Sequence, residues 1–433
     1  IFTSVIADRL SYTMERNGIL EGSQHGFRPR RQTRKPIAQL QSIVAEAKRE
    51  RRQVIVAYLD WFSAFCSVSL EQLYRCLERL GLNPADVDTI RKAHAGAWVK
   101  VRTPFGDTTE IEVTRGTPQG DCLSPSLFVF FINLCLRHLA GEGAGFQHQC
   151  GVKRNNTCFA DDVALCTDSI EDMQRLLHRV HDFCQWTGMD LCVVKCEVTG
   201  FDFANGTEIA GGGLRFGEAS LTRLSPHKAF KYLGLRMTLT GDTREEKKHV
   251  TDTMRHISSK LKSHPWRTDQ ANAVIGMCAH PVLTYGGPLT QWTFKELHDI
   301  ERSWAVMHKR AWKLTDQHNT APFLLPMEEG GIQSHTPARL LAKHTVNLLS
   351  KLGGDLDGET LELAQAEWNN LTATWGTTTV DEVQTMLLLE ESVTRPATLL
   401  ARTLYYAGLV GVTPVWTRLT GISPPRVRKP WGA

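Results

Sequence analysis

The chain has 433 residues, 42% hydrophobic and 22% charged, a composition that excludes a mostly disordered, collagen-like or coiled-coil protein and leaves room for about two to four domains. Its longest apolar stretch, 123–140, is broken by Ser124, Pro125, Ser126, Asn133, Arg137 and His138, too polar a set to span a bilayer, so no membrane anchor is expected. The net charge of +4 is uneven: residues 1–60 hold 11 Lys/Arg against 6 Asp/Glu, and everything after is close to neutral.

The chain opens on Ile1 with an amphipathic, charged segment rather than a signal peptide, and reads as an internal fragment. Arg28, Arg30, Arg31, Arg34 and Lys35 place five cations in eight residues with no acid between them, which suits either a solvated surface loop or a partner rich in phosphate. From Pro36 to Arg52 apolar residues recur at helical spacing. The period then changes, and Gln53 to Leu59 predicts a buried strand delivering Asp60 at its end. Two helices are expected over Ser69–Leu80 and Pro84–Ala97, followed by a hairpin with strands at Trp98–Arg102 and Thr109–Val113.

The Gly116–Gly120 stretch reads as a loop before a strongly apolar, central helix from Leu123 to Leu139. Thr157–Thr167 has apolar residues on both sides of Asp161 and Asp162, the pattern of two strands with acids at the turn. Ser169 should cap a helix reaching Trp186, with Gly188 ending it and a strand at Leu191–Val194 leading to Lys195. Residues 200–242 read as short strands and hairpins. Beyond Thr243 helical periodicity dominates to about Ala407, implying a separate helical domain.

Eleven cysteines are an odd count with no C-x2-C pair. Cys122, Cys135, Cys158 and Cys166 lie in apolar patterns and are expected to be buried thiols, which points to an intracellular compartment.

Three aspartates carry the chemistry. Asp60 ends one buried strand, and Asp161 and Asp162 sit at a hairpin tip about a hundred residues later. If the strands are neighbours the carboxylates converge, and hard divalent cations relieve the repulsion between them. Two such ions about 4 Å apart activate an attacking hydroxyl and stabilise a leaving phosphate oxygen, which suggests phosphoryl or nucleotidyl transfer. The plainer alternative is that Asp60 caps the next segment and the pair merely makes a turn.

Here the sequence resembles a known family. Asp60-Trp61-Phe62-Ser63-Ala64-Phe65, the run from Gly116 to Pro125, Phe159-Ala160-Asp161-Asp162, Lys195 and Lys231-Tyr232-Leu233-Gly234 are similar, in order and spacing, to the palm motifs of reverse transcriptases of the LINE-type, non-long-terminal-repeat retrotransposon class. Gln24 to Pro29 with Thr33 resembles the family's finger motif, and Pro326 to Ile332 a segment late in the thumb.

The resemblance implies an α+β right-hand polymerase fold: partial fingers over 1–52, a palm with an antiparallel sheet, the remaining finger elements and a primer-grip hairpin over 53–242, a helical thumb over 243–335, and a helical C-terminal extension of unassigned role over 336–433. It implies RNA-directed DNA synthesis from a primer 3′-hydroxyl, with Asp60 and Asp161 as principal ligands of two Mg²⁺ ions, Mn²⁺ being a substitute, and Asp162 as an auxiliary ligand. Lys195 matches the proposed general acid for the leaving pyrophosphate. Phe65 matches the aromatic gate that excludes a 2′-hydroxyl, and Gln119 with Gly120 would let backbone and amide approach nucleotide and template. Arg28 would pair with triphosphate or template phosphate. Arg30, Arg31, Arg34 and Lys35 would make general contacts to the nucleic-acid backbone, and Lys231, Tyr232, Leu233 and Gly234 would grip the primer end.

The implied partners are an RNA template, a DNA primer or nicked target DNA, and dNTPs. Endonuclease activity would come from a missing segment or another protein, and the setting would be the nucleus and cytoplasm of a eukaryotic host. Two positions depart from the family pattern: Cys66 stands where Asp is usual and Cys192 where Asn is usual. A catalytically inactive remnant, or a domesticated RNA-binding protein, is therefore an alternative. An RNA-dependent RNA polymerase is another, opposed by the bulk of Phe65.

Overall fold

The apolar run Gln53–Leu59 is the central strand, β1, of a six-stranded sheet. The computed structural model describes residues 2–118, 120–209, 213–315, 317–324, 336–354, 358–389 and 398–414. These form two compact units, one of residues 1–36, 51–147 and 153–225, the other of 37–50, 148–152 and 226–433.

The first unit begins with helix α1 (Phe2–Arg16), and helix α2 (Arg34–Arg49) leads out of it. After β1 come a single turn, α3 (Ala64–Ser67), then α4 (Leu70–Arg79), α5 (Pro84–His94) and α6 (Ser124–Ala140). Strands β2 (Asn156–Phe159) and β3 (Asp162–Thr167), helix α7 (Ile170–Thr187), and strands β4 (Glu197–Asp202), β5 (Thr207–Glu208) and β6 (Thr222–Arg223) complete the sheet and its helical cover. The sheet order is β5-β4-β1-β3-β2, with β6 beside β4, and β1 lies antiparallel between β3 and β4. Val54, Ile55, Val56 and Ala57 are all buried, so both faces of β1 are covered, which is why its sequence is continuously apolar rather than alternating.

Helix α6 buries 12 of its 17 residues. Phe128, Phe130 and Phe131 are fully buried, and each such side chain contributes roughly 1.5–3 kcal/mol by leaving water. Asn133 is buried in the same helix but satisfied, donating to Ile19 O at 2.9 Å and accepting from Glu21 N at 2.7 Å. Helix α7 starts where Ser169 Oγ accepts from Asp172 N and stops at Gly188, whose φ of 68° suits glycine. The expected strand at Leu191–Val194 does not form. Leu191 makes only an isolated bridge to Trp61, and Val193–Lys195 is a 3-10 turn.

The second unit holds hairpin β7 (Phe230–Tyr232) and β8 (Leu235–Met237), and helices α8 (Arg244–Ser263), α9 (Thr268–Val274), α10 (His280–Gly286), α11 (Phe294–Ala311), α12 (Pro337–Gly354), α13 (Gly358–Trp375), α14 (Val380–Leu389) and α15 (Leu399–Leu409). The hairpin turns on Leu233 and Gly234, both at positive φ, as a tight two-residue turn requires. Assigned with the palm on sequence, this hairpin groups with the helices instead, because Tyr285 of α10 donates to Leu233 O and Glu246 of α8 accepts from Arg236 N. Arg402 of α15 is fully buried, donating to Gln41, which donates to Leu289 O. Tyr406 donates to Thr290 O at 2.6 Å. Among the described residues no helix is long and apolar enough to cross a membrane.

Candidate active site

Pairing register brings the three aspartates together. Leu59 lies opposite Val163 in the antiparallel β1–β3 pair, so Asp60, one residue on, faces Asp162. Phe159 pairs with Asp162, leaving Ala160 and Asp161 as a two-residue turn between them. Ala160 has φ 57°, a left-handed conformation that a non-glycine residue adopts at a cost.

The electrostatics follow from this crowding. Burial, then the charges of Asp161 and Asp60, push the Asp162 carboxyl up to about 6. Burial and the Asp60 charge raise Asp161 as well, against a lowering backbone hydrogen bond. Lys195 Nζ lies 3.9 Å from Asp60 Oδ1, with both side chains well exposed, a loose contact that relieves little of the repulsion. The backbone of Asp60 is fixed by the following segment: Cys192 N donates to Asp60 O at 2.8 Å, and Phe62 N donates to Asp190 O at 2.9 Å.

Do these residues fit a divalent cation? Among the described residues no three His, Cys, Asp or Glu side chains are arranged to enclose a metal by themselves. A small hard cation such as Mg²⁺ does not require that, since it keeps several waters and is held by one or two carboxylates plus substrate phosphates. An all-oxygen set in which burial, with neighbouring negative charge, raises Asp161 and Asp162 matches such an ion.

Phe65, on α3, stacks on Phe128 of α6 with ring centroids 4.3 Å apart and meets the edge of Phe27 at 6.1 Å. The Gly116 loop docks on the same turn: Thr117 N donates to Phe65 O and Gly116 N to Val68 O. A Cβ on Gly116 would come within 2.7 Å of the Cys66 backbone, at a φ of +87°, so glycine is required there. Gly120 is exposed with φ 93°. Gln119 lies outside the described residues, as does Pro326–Ile332.

Within the basic cluster Arg28 and Lys35 are buried, unlike Arg30, Arg31 and Arg34. Arg28 is buried, with Nε and Nη2 bonded to Glu15 at 2.7 and 2.8 Å and Nη1 bonded to Glu21 O and Gln24 O. Its guanidinium serves the fold, because the fork of donors is already engaged. Lys35 is buried too, and Arg34 donates to Gln32. Arg31 donates to Gly22 O, while Arg30 is exposed. Tyr232 is a core residue, leaving Lys231 and Gly234 as the exposed members of its hairpin.

Sequence reasoning passed over two residues of the finger motif. Phe27, half-exposed with φ 53°, lies beside Phe65 and 6.5 Å from Phe159. Gln24 is fully buried against the Asp161 turn.

Residues 1–237 match the family described as reverse transcriptase (RNA-dependent DNA polymerase). The Retrovirus-related Pol polyprotein from type-2 retrotransposable element R2DM of Drosophila melanogaster is 26% identical over 245 residues, covering 56% of this chain and 22% of that protein. The corresponding polyprotein from the type-1 element R2 of Nasonia vitripennis is 25% identical over 394 residues, covering 85% and 37%. A solved Candida albicans telomerase, in complex with a TWJ fragment of telomeric RNA, aligns at 11% identity with a TM-score of 0.38, over 80% of this chain and 56% of that one. The chain spans between 22% and 41% of the length of the curated relatives it matches. The sheet that carries the aspartates is thus the palm of a right-hand polymerase fold, and the chain belongs to the reverse transcriptase family, as a domain of the LINE-type, non-long-terminal-repeat class.

Proposed function

We infer that this chain copies RNA into DNA, adding dNTPs to a primer 3′-hydroxyl. The observation that carries the reading is the register of β1 against β3, which sets Asp60 opposite Asp162 with Asp161 in the adjoining turn. Asp60 and Asp161 would hold two divalent cations, with Asp162 as an auxiliary ligand. Mg²⁺ is the natural occupant and Mn²⁺ a substitute. When bound, such ions lower the pKa of the primer hydroxyl and neutralise the leaving oxygen.

In the reaction the 3′-oxygen forms a bond to the α-phosphorus, the bond to the β-phosphate oxygen breaks, and the hydroxyl proton passes to solvent while pyrophosphate leaves. Lys195, 3.9 Å from Asp60, would give pyrophosphate a proton. Phe65, held by its stack on Phe128, supplies the flat wall against which a 2′-hydroxyl would clash. The template would be RNA in an A-form hybrid, read through phosphates and 2′-hydroxyls. Its source would be the transcript of a retroelement in a eukaryotic nucleus or cytoplasm, with target DNA nicked by an endonuclease outside these residues.

The test is primer extension on poly(rA)/oligo(dT) with Mg²⁺ and dTTP, the parent chain against Asp161→Ala. Extension lost in the variant supports the reading. A folded parent that binds the hybrid without extending it would instead favour an inactive remnant, the reading suggested by Cys66 and Cys192, which depart from the family pattern.

A further inference from the structure

The Asp161 turn is seated on a second segment of the chain, and one side chain makes most of that seat. Gln24 has 0% exposure. Its Oε1 accepts from Ala160 N at 2.8 Å and from Gly26 N at 2.8 Å. Its Nε2 donates to Ala160 O at 3.2 Å and lies 3.1 Å from Cys158 Sγ. On either side the backbones join as well, with His25 N donating to Cys158 O at 2.8 Å and Cys158 N to Ser23 O at 3.0 Å. The primary amide thus continues, as a side chain, the ladder that the backbone abandons where the hairpin turns.

Two facts make this more than core filling. Ala160 is 3% exposed, so without Gln24 its N–H would be buried with no acceptor, an arrangement proteins avoid. Ala160 also holds φ 57° without being glycine, and strain of this kind persists only where surrounding groups over-determine the backbone. Gln24 binds both the N–H and the C=O of that residue and so fixes the peptide from which Asp161 projects. Gly26 lets the two segments meet: a Cβ there would fall 2.2 Å from Ala160 N.

We propose that Gln24 is a positioning residue for catalysis, clamping the Ala160 peptide so that Asp161 is presented at a fixed place opposite β1. The inference rests on the polymerase reading above and adds to it the group that sets the geometry of the turn. Gln24 touches neither nucleotide nor primer in this scheme, so its loss should act on the rate of the bound complex and leave assembly of that complex intact.

Gln24→Met keeps the length and removes every bond. The first readout needs no activity: hydrogen–deuterium exchange of the Ala160 amide, followed by mass spectrometry of the peptide containing it, should accelerate about tenfold or more once its acceptor is gone. The second is single-turnover dTTP incorporation on poly(rA)/oligo(dT). Because a misplacement of about 1 Å can cost on the order of 100-fold, kcat should fall roughly 10- to 100-fold, with hybrid affinity and the KM for dTTP nearly unchanged. Gln24→Glu retains the Oε1 acceptor and loses the donor, so it should fall between parent and Gln24→Met in both readouts. It also serves if the Met variant does not fold.

Unchanged Ala160 exchange in a folded variant overturns the clamp. Faster exchange with parental kcat overturns the positioning role, as does a loss confined to hybrid affinity or KM. A parent chain that never extends a primer counts against the polymerase reading, and the exchange measurement then judges the clamp alone.

Discussion

Two groups of carboxylates in the first unit are treated in opposite ways. Burial would raise Glu15, but the paired hydrogen bonds and charge of Arg28, helped by Arg31, more than reverse it and hold the carboxyl below its ordinary value. Among the described residues no such cation pairs with Asp161 or Asp162, and burial with neighbouring negative charge leaves both raised. Both groups sit beside the finger motif, and Arg28 lies only four residues from Gln24, yet one contributes a cation and the other an uncharged amide. An acid with a built-in counter-ion secures the fold. An acid denied one keeps its affinity for a cation from outside.

Replacing acid by amide should therefore have opposite consequences in the two places. Asp161→Asn is expected to lower primer extension by about 10³-fold or more, since several kcal/mol of transition-state stabilisation would depend on the cations it is proposed to hold. Its thermal stability should equal or exceed that of the parent, because a repulsion has been removed. Extension within tenfold of the parent would contradict the assignment of Asp161 as a ligand.

Glu15→Gln should show the reverse, leaving chemistry alone and weakening the fold. Removing one partner of a buried pair costs about 3–5 kcal/mol, and the 32% exposure of the Glu15 side chain brings the expected loss down to about 2 kcal/mol. Urea unfolding measures it, and a loss below about 0.5 kcal/mol would mean that Arg28 is satisfied by the Glu21 and Gln24 carbonyls alone. The folded-state pKa of Glu15 is depressed from 4.5. The pair's contribution is therefore complete above that value and is lost as pH falls through the folded value, so parent and variant should converge in acid.

The same contrast explains what the sequence could convey. The alternation of periods, 3.6 in α2 and then a continuous apolar run in β1, made the central strand and its terminal Asp60 legible. Ser169 and Gly188 marked α7 almost to the residue. The Leu191–Val194 strand stops after one bridge to Trp61 because the Cys192 carbonyl accepts from Lys195 N and Cys196 N, turning the chain into a 3-10 segment that its apolar, β-prone sequence does not announce. Arg28 reads as a phosphate ligand because its four neighbouring cations dominate the local pattern, while its counter-ion lies thirteen residues upstream. Gln24 was passed over because a buried amide has no periodicity, and only the long-range register with Cys158 shows its use.

The aromatic side of the site sharpens the comparison, since Phe65 both packs and is expected to select. Its ring lies flat against Phe128 and edge-on to Phe27, a pair of contacts that fixes its plane. Phe65→Val would shrink the wall, and ribonucleotide incorporation relative to deoxynucleotide should rise roughly 10- to 100-fold, the range spanned by about 1–3 kcal/mol of steric discrimination. Competition between dTTP and UTP on the poly(rA) hybrid measures the ratio. A ratio unchanged in a folded, active variant would reduce Phe65 to a packing residue.

The smallest effect concerns Asp162. Its folded carboxyl titrates at about 6 rather than 3.8, so the folded state holds its proton more tightly than the unfolded chain does. Stability is then lost as pH rises from near 4 to above 6, the opposite of Glu15. Because Asp162 is exposed, solvent screening keeps the expected cost to ~1 kcal/mol or less. Asp162→Asn should accordingly match the parent at pH 4 and exceed it slightly in urea midpoint at pH 7.5, both measured in chelator. A difference that does not change with pH would show that repulsion is not its source. With Mg²⁺ in place of chelator the parent should recover more than the variant does, because the repulsion that destabilises the free chain is the same repulsion a bound cation removes.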